Sequence, residues 1–235
     1  MGKIAAIVLA AGQGKRMNST VHKQYLLLGE KPVLYYSLRT FEESAVDEIV
    51  LVTGADEIAY CEKEIVQLYG FHKVSCITEG GRERCHSVYQ GLKALSEDTE
   101  YVLIHDGARP LVTKKIIADT IEAVKKYKAC VVGMPVKDTI KITDSHQFAV
   151  QTPERQNVWA VQTPQAFSYE IVWKAYSMLM EHEIPVTDDA MVVETYLQYP
   201  VKLLEGSYEN IKITTPEDLL IAEVFAEMLK KNTKI

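Results

Sequence analysis

Short apolar runs alternate along this chain with longer segments in which apolar residues recur at helical spacing. IAAIVLA (4–10) precedes the helical segment VLYYSLRTFEES (33–44), and EIVLVTG (48–54) precedes ADEIAYCEKEIVQLYG (55–70). The alternation continues through HKVSCIT, GRERCHSVYQGLKAL, EYVLIHD, TKKIIADTIEAVKKY and ACVVGMPV. This order is typical of βαβ units that build a mainly parallel sheet. Because the last two of these strands contain the runs YVLI and VVGM, which are apolar on both faces, we expect a doubly wound α/β fold, with helices covering both sides of the sheet.

Local signals place several of the helix ends. Pro32 is expected to start the first helix, Gly70 to close the second, and Thr113 to cap the helix that follows it. Further along, helices are expected at 168–181 and 188–197, a strand near 201–205, and a last amphipathic helix from Thr215 or Pro216. With no repeat, low-complexity segment or linker, residues 1–235 are expected to form a single domain.

The regular alternation stops at residue 137. KDTIKITDSHQFAVQTPERQNVWAVQTPQAF (137–167) alternates polar and apolar residues around a turn near Asp144-Ser145, which predicts a β-hairpin. We expect its part at about 137–158 to protrude as an arm. Since an exposed edge of this length needs to be covered, the arm is expected to pack against a second subunit and form a homodimer.

Composition excludes several classes of protein. The formal net charge of −6 argues against general nucleic-acid binding, which requires a basic face. The four cysteines are scattered without a C-x-x-C pair, so their spacing indicates neither a zinc site nor a disulfide framework. The first apolar run is too short for a signal peptide or a membrane span. We therefore expect a cytoplasmic protein without a membrane or nucleic-acid partner.

The first predicted strand runs directly into glycines and cations, AAGQGKRM (10–17). Met17 breaks the dinucleotide fingerprint G-x-G-x-x-G and thereby disfavours a dehydrogenase. Lys15 lacks both the earlier glycine and the following Ser or Thr of a Walker A loop. Small residues still allow the backbone to approach a polyphosphate, and Arg16 and Lys23 supply positive charge. The alternative is a plain strand-to-loop turn with solvated basic residues.

At this point the chain resembles a known group of enzymes. LAAGQGKRM followed by HKQYLLLGEKPVL resembles the start of the nucleotidyltransferases that join a sugar phosphate to a nucleoside triphosphate. Six further blocks follow in order: EGGRERCHSVYQGL, IHDGARP, PVKDTIK, RQNVWAVQTPQAF, TDDAMVVE and NIKITTPEDL. Together they are similar to the 2-C-methyl-D-erythritol 4-phosphate cytidylyltransferase family. Ribitol-5-phosphate cytidylyltransferases share some of these blocks and are an alternative, but LAAG, HDGARP and PVKDTIK are closer to the first family.

The resemblance implies a Rossmann-like nucleotidyltransferase fold and the transfer of CMP from CTP to a sugar or polyol phosphate, with Mg²⁺ as cofactor. It implies three groups of site residues. Those for catalysis are Arg16, Lys23 and Lys212; those for CTP are Ala10, Ala11, Gly12, Gly14, Gly81, Ser87 and Asp106, the last also as metal ligand; those for the sugar phosphate are Thr139, Arg155, Thr163 and Arg109. Arg155 would come from the partner subunit if the arm crosses.

Several of these residues also have a purely structural interpretation. Asp106 and Arg109 could form an ion pair, Ser87 could be an ordinary helix serine, and Arg155 a surface arginine. For Lys212 the sequence favours a functional role, because a lysine between two isoleucines needs an anionic partner. His105 is expected to be structural. A non-catalytic nucleotide-binding relative is a further alternative, and the presence of all the charged site residues weighs against it.

Overall fold

A computed structural model of the chain describes residues 2–12, 17, 22–182 and 184–232. In chain order the described strands are β1 (Lys3–Leu9), β2 (Leu27–Leu28), β3 (Lys31–Pro32), β4 (Glu48–Thr53), β5 (Val74–Glu79), β6 (Thr99–Asp106), β7 (Ala129–Pro135), β8 (Ile142–Thr143), β9 (Ala149–Gln151), β10 (Trp159–Ser168) and β11 (Lys202–Glu205). Seven of them form one sheet in the order β11-β7-β10-β6-β1-β4-β5. Within that sheet only β10 runs against the others.

The helices are α1 (Val33–Glu42), α2 (Ile58–Tyr60, continuing as a π-helix over Cys61–Gln67), α3 (Arg84–Lys93), α4 (Lys114–Tyr127), α5 (Tyr169–His182), α6 (Asp189–Leu197) and α7 (Pro216–Asn232). The expected start and end signals are confirmed. Pro32 directly precedes α1, and Gly70 takes the positive φ of 64° that ends the segment after α2. Thr113 caps α4, because its hydroxyl accepts the N–H of Ile116.

Two apolar cores lie on opposite faces of the sheet. Successive side chains of a strand point to opposite faces, so Ala6 and Val8 contact the first core and Ile7 the second. The helices α1, α2 and α4 cover the first face, and α3, α5 and α6 cover the second. The predicted doubly wound, mainly parallel α/β fold is therefore confirmed.

The prediction for residues 137–167 is correct only in its first part. Strands β8 and β9 pair as an antiparallel hairpin around a turn at 144–147, but β10 enters the main sheet between β6 and β7. The assignment of 159–167 to the hairpin was wrong. Its polar residues were interpreted as the exposed face of a hairpin, but they are buried in the main sheet. Gln162, Thr163 and Gln165 each have hydrogen-bond partners inside the protein, so their polarity does not indicate exposure.

A third, smaller core forms where the chain returns to the sheet near residue 213. Ile213 is fully buried, its N–H donates to the carbonyl of Ala108, and it packs with Leu28, Leu111 and Ala222 of α7. This packing places Lys212 beside the end of β6. Over the part of the chain that the structure describes, every helix is too short or too polar to cross a bilayer.

Candidate active site

A cavity of about 600 Å³ opens at the carboxyl ends of β1 and β6. Leu9 and Asp106, the last residues of these strands, are paired in the parallel register, so the segments that follow them diverge from one point. Sequence-predicted residues from distant parts of the chain line this cavity: Ala10, Ala11, Gly12, Lys23, Gly81, Ser87, Asp106 and Lys212. Carboxyl ends of parallel strands are where α/β proteins bind ligands. Two further predicted residues, Gly14 and Arg16, lie outside the described residues.

Close packing holds the segments after β1 and β5 together. A Cβ on Gly80 would lie 2.5 Å from Cβ of Ala11 and 2.7 Å from Oγ of Ser87, so no larger residue fits without a shift. The Ser87 hydroxyl accepts the N–H of Gly81 at 3.1 Å and donates to the carbonyl of Glu83 at 3.2 Å. Ser87 therefore orders the loop that forms one wall of the cavity.

Three cations surround the Asp106 carboxylate. Lys212 Nζ lies 2.9 Å from Oδ2, Arg84 Nε lies 3.2 Å from Oδ1, and Arg109 Nε lies 3.7 Å from Oδ2. Burial alone would raise the pKa of Asp106, but the charges of Arg84, Lys212 and Arg109 outweigh it and hold the pKa well below its usual range. Asp106 is therefore ionised at neutral pH, and Lys212 has the anionic partner that its sequence context requires.

Arg84 links Asp106 to a second carboxylate that the sequence did not single out. Its two terminal nitrogens donate to Oδ1 and Oδ2 of Asp189 at 2.7 and 2.8 Å. Asp189 is 0% exposed and also accepts the hydroxyl of Tyr176. Arg84 lies in the GRER segment and Asp189 in the TDD segment, but neither segment reveals that a helix packed on the sheet brings them together.

A second cavity of about 290 Å³ adjoins the first. Arg84, Asp106 and Lys212 line both cavities, and the second also contains the predicted residues Arg109 and Thr163. Thr163 Oγ1 accepts the backbone N–H of Asp106 at 3.1 Å, and the guanidinium of Arg109 donates to the carbonyl of Asn210 at 2.8 Å. Gln162, Gln165, Thr187 and Asp188 complete the polar lining, and the sequence had assigned none of them a role.

His105 lies behind Asp106 and lines neither cavity. It is fully buried between the hydroxyl of Thr163 and the carbonyl of Arg109. Burial lowers the pKa of His105 to about 4, so the ring is neutral at physiological pH. This position agrees with the structural role expected from the sequence.

Thr139 and Arg155 line neither of the two cavities. Both are exposed and flank the hairpin at its base, where Arg155 donates to the carbonyl of Lys137 at 3.1 Å. Within one chain the structure therefore does not bring these two predicted residues to the site.

A doubly wound sheet with a Gly- and Ala-lined cavity, cations and the carboxylate of Asp106 at the end of β6 is the arrangement expected of an α/β nucleotidyltransferase. The sequence model described as "IspD: 2-C-methyl-D-erythritol 4-phosphate cytidylyltransferase" matches residues 4–228. The chain belongs to this family.

Individual relatives agree with the family match over nearly the whole chain. A 2-C-methyl-D-erythritol 4-phosphate cytidylyltransferase of Lachnoclostridium phytofermentans is 53% identical over 224 residues, covering 95% of this chain and 96% of that one. A relative of the same name from Alkaliphilus oremlandii is 49% identical, with 98% and 96% covered. The crystal structure of 4-diphosphocytidyl-2C-methyl-D-erythritol synthase from Anaerococcus prevotii superimposes with a TM-score of 0.86 at 36% identity, covering 96% of each chain.

Proposed function

We propose that this protein transfers CMP from CTP to 2-C-methyl-D-erythritol 4-phosphate, releasing pyrophosphate, as a cytoplasmic enzyme of the non-mevalonate isoprenoid pathway. The observation that carries the proposal is the pair of adjoining cavities that share Arg84, Asp106 and Lys212. One cavity is large enough for a nucleotide, and the second is smaller and polar. The names of the relatives support the choice of substrates.

The reaction needs alignment and positive charge more than proton transfer. A phosphate monoester is largely ionised near neutral pH, so its oxygen can attack the α-phosphorus of CTP without a general base. In this proposal Lys23 and Arg16 stabilise the charge on the triphosphate, and Lys212 stabilises it where the two cavities meet. Ala11, Gly12 and Gly14 offer backbone N–H groups to the triphosphate, whereas Ala10, whose N–H donates to the carbonyl of Val52, lines the cavity with its small side chain. The loop that Ser87 and Gly81 order holds the cytosine.

Mg²⁺ is part of the proposal, with Asp106 as its protein ligand. The carboxylate is ionised and lies on the wall of the nucleotide cavity, which suits a hard cation. Because both oxygens of Asp106 already have cationic partners, the protein can offer one carboxylate oxygen to the metal. The triphosphate and water would supply the other ligands. When bound, the metal would neutralise charge on the triphosphate.

We also propose a homodimer formed through the arm of residues 137–158. Phe148 and Val150 near its tip are 72% and 63% exposed, which is unusual for two large apolar side chains in one short hairpin. A second subunit would cover them. The same contact would bring Thr139 and Arg155 of one subunit to the second cavity of its partner, where their predicted contact with the sugar phosphate becomes possible.

Pyrophosphate release by the purified protein tests the activity. CTP and Mg²⁺ are supplied with 2-C-methyl-D-erythritol 4-phosphate, and in parallel with ribitol 5-phosphate. We expect release only with the first substrate and a loss of it in Lys212→Met, while Lys115→Met on the exposed face of α4 keeps full activity. Release only with ribitol 5-phosphate would make the protein a polyol-phosphate cytidylyltransferase. No release with either would favour the non-catalytic alternative.

A further inference from the structure

Three potential metal ligands meet at the start of α3, on the side of the 81–86 loop that faces α5. The carboxylate of Glu83, the thiol of Cys85 and the imidazole of His86 all have ligand atoms within 4.8 Å of one another. Cys85 Sγ lies 3.7 Å from His86 Nδ1. Among the described residues they are the one group of three His, Cys, Asp or Glu side chains close enough to hold one ion.

We propose that Glu83, Cys85 and His86 bind one thiophilic divalent cation of the Zn²⁺ class. Carboxylate, thiolate and imidazole are the three ligand types that Zn²⁺ takes in proteins, at about 2.0–2.3 Å. Ligands at those bond lengths in a tetrahedral site lie roughly 3.3–3.8 Å apart. The Sγ–Nδ1 separation already falls in this range, and Glu83, which is exposed, can close the remaining gap by a change of rotamer.

Space and charge both allow an ion at this position. A cavity of about 170 Å³ lies beside the three side chains, between them and Leu179, Ile184 and Val186, and leaves room for a water as fourth ligand. Arg82 lines the same cavity but is exposed, so solvent and salt screen its charge. The half-buried Arg84 points its guanidinium to Asp106 and Asp189, which offset its charge. On binding, the Cys85 thiol releases its proton to solvent and its sulfur donates a lone pair to the metal, without any redox change.

This site is chemically different from the proposed Mg²⁺ position at Asp106. Sulfur and nitrogen ligands favour zinc-like ions, whereas Mg²⁺ prefers oxygen. The scattered cysteines gave no sign of such a site, because only one of them takes part and the other donors are its neighbours in sequence. Excess Mg²⁺ is therefore expected to leave the ion in place.

Titration of the purified, reduced full-length protein with Co²⁺ and then Zn²⁺ tests the proposal without measuring activity. We expect one equivalent of Co²⁺ to give a thiolate-to-metal charge-transfer band that Zn²⁺ abolishes and Mg²⁺ does not. Cys85→Ser should remove the band. His86→Ala and Glu83→Gln should each weaken affinity by at least about tenfold, because even outer partners of metal ligands contribute that much.

Cys76→Ser is the matched control, since Cys76 is also half-buried but lies on β5 outside the cluster. It should bind Co²⁺ like the unmodified chain. Wild-type affinity in Cys85→Ser would overturn the proposal. The proposal would also be overturned if Cys85→Ser lost Co²⁺ binding while His86→Ala and Glu83→Gln both kept wild-type affinity, because the thiol would then bind the metal without the other two side chains. Circular dichroism confirms that each variant is folded.

Discussion

Replacing Asp189 by Asn should destabilise the protein strongly, although the two side chains have nearly the same shape. Asp189 is completely buried and accepts two N–H groups of Arg84 and the hydroxyl of Tyr176. The substitution removes the negative charge that offsets Arg84. It also turns one of the accepting oxygens into an NH₂ group that faces a donor.

The structure sets the expected magnitude. Removing one partner of a buried ion pair costs about 3–5 kcal/mol, because the other charge stays buried without compensation. The Arg84 side chain is 28% exposed and keeps its contact with Asp106, so part of its charge is still compensated. We therefore expect a loss of about 3 kcal/mol from the free energy of unfolding. In a protein of this size that corresponds to a fall of roughly 6–12 °C in Tm.

Urea unfolding at one fixed protein concentration, followed by tryptophan fluorescence, measures this loss. Trp173 lies on α5, the helix that also carries Tyr176, and stacks against Tyr89 and Tyr169, so its emission reports on this region. Asp119→Asn is the matched control. It removes the same charge from an exposed ion pair with Lys115 and should cost at most about 1 kcal/mol.

A double-mutant cycle with Arg84→Met separates the ion pair from other effects. If the pair is the cause, removing both charges should cost less than the sum of the two single changes. The reasoning is refuted if Asp189→Asn loses no more stability than Asp119→Asn, or if the two single losses simply add.

Three further outcomes are expected. Arg155→Ala should raise KM for the sugar phosphate far more than KM for CTP, and equal effects would place Arg155 elsewhere. Burial lowers the pKa of His105 to about 4, so below pH 6.5 the unfolded chain binds a proton at this residue that the folded protein does not. The free energy of unfolding should therefore fall by about 3 kcal/mol between pH 6.5 and 4. Urea titrations over this range should show a smaller fall in His105→Asn. Phe148→Asp should give a monomer by light scattering, whereas Leu68→Asp, another exposed apolar residue, should not.

Much of the fold follows from local patterns. Apolar runs such as those of β1 and β6 are typical of strands buried on both faces, and parallel strands bring their carboxyl ends to one edge. That rule alone places Ala10, Gly12 and Asp106 together, as the structure shows. The need of Lys212 for an anionic partner also follows from its place between two isoleucines, although only the structure shows that Asp106 is that partner.

The features that the sequence did not reveal depend on distant contacts. The partners Arg84 and Asp189 are 105 positions apart and meet only because α3 and α6 both pack against α5 on one face of the sheet. Strand β10 was wrongly assigned to the hairpin for a related reason, since its buried polar side chains are satisfied by partners such as Asn210 and Asp188. A local pattern records the polarity of a side chain but not the partner that makes its burial possible.

The charges around Asp106 suggest why this arrangement suits anionic substrates. Arg84, Arg109 and Lys212 carry three positive charges against the carboxylates of Asp106 and Asp189, so the cluster has a net charge of about +1 before a substrate enters. Arg84 is held by Asp189 on its far side and cannot turn toward a phosphate without breaking two short hydrogen bonds. Lys212, which is more exposed, has Asp106 as its one carboxylate partner among the residues that the structure describes. A phosphate placed where the cavities meet would therefore draw Lys212 away from Asp106 more easily than Arg84, and would leave an Asp106 oxygen available to the Mg²⁺ proposed above.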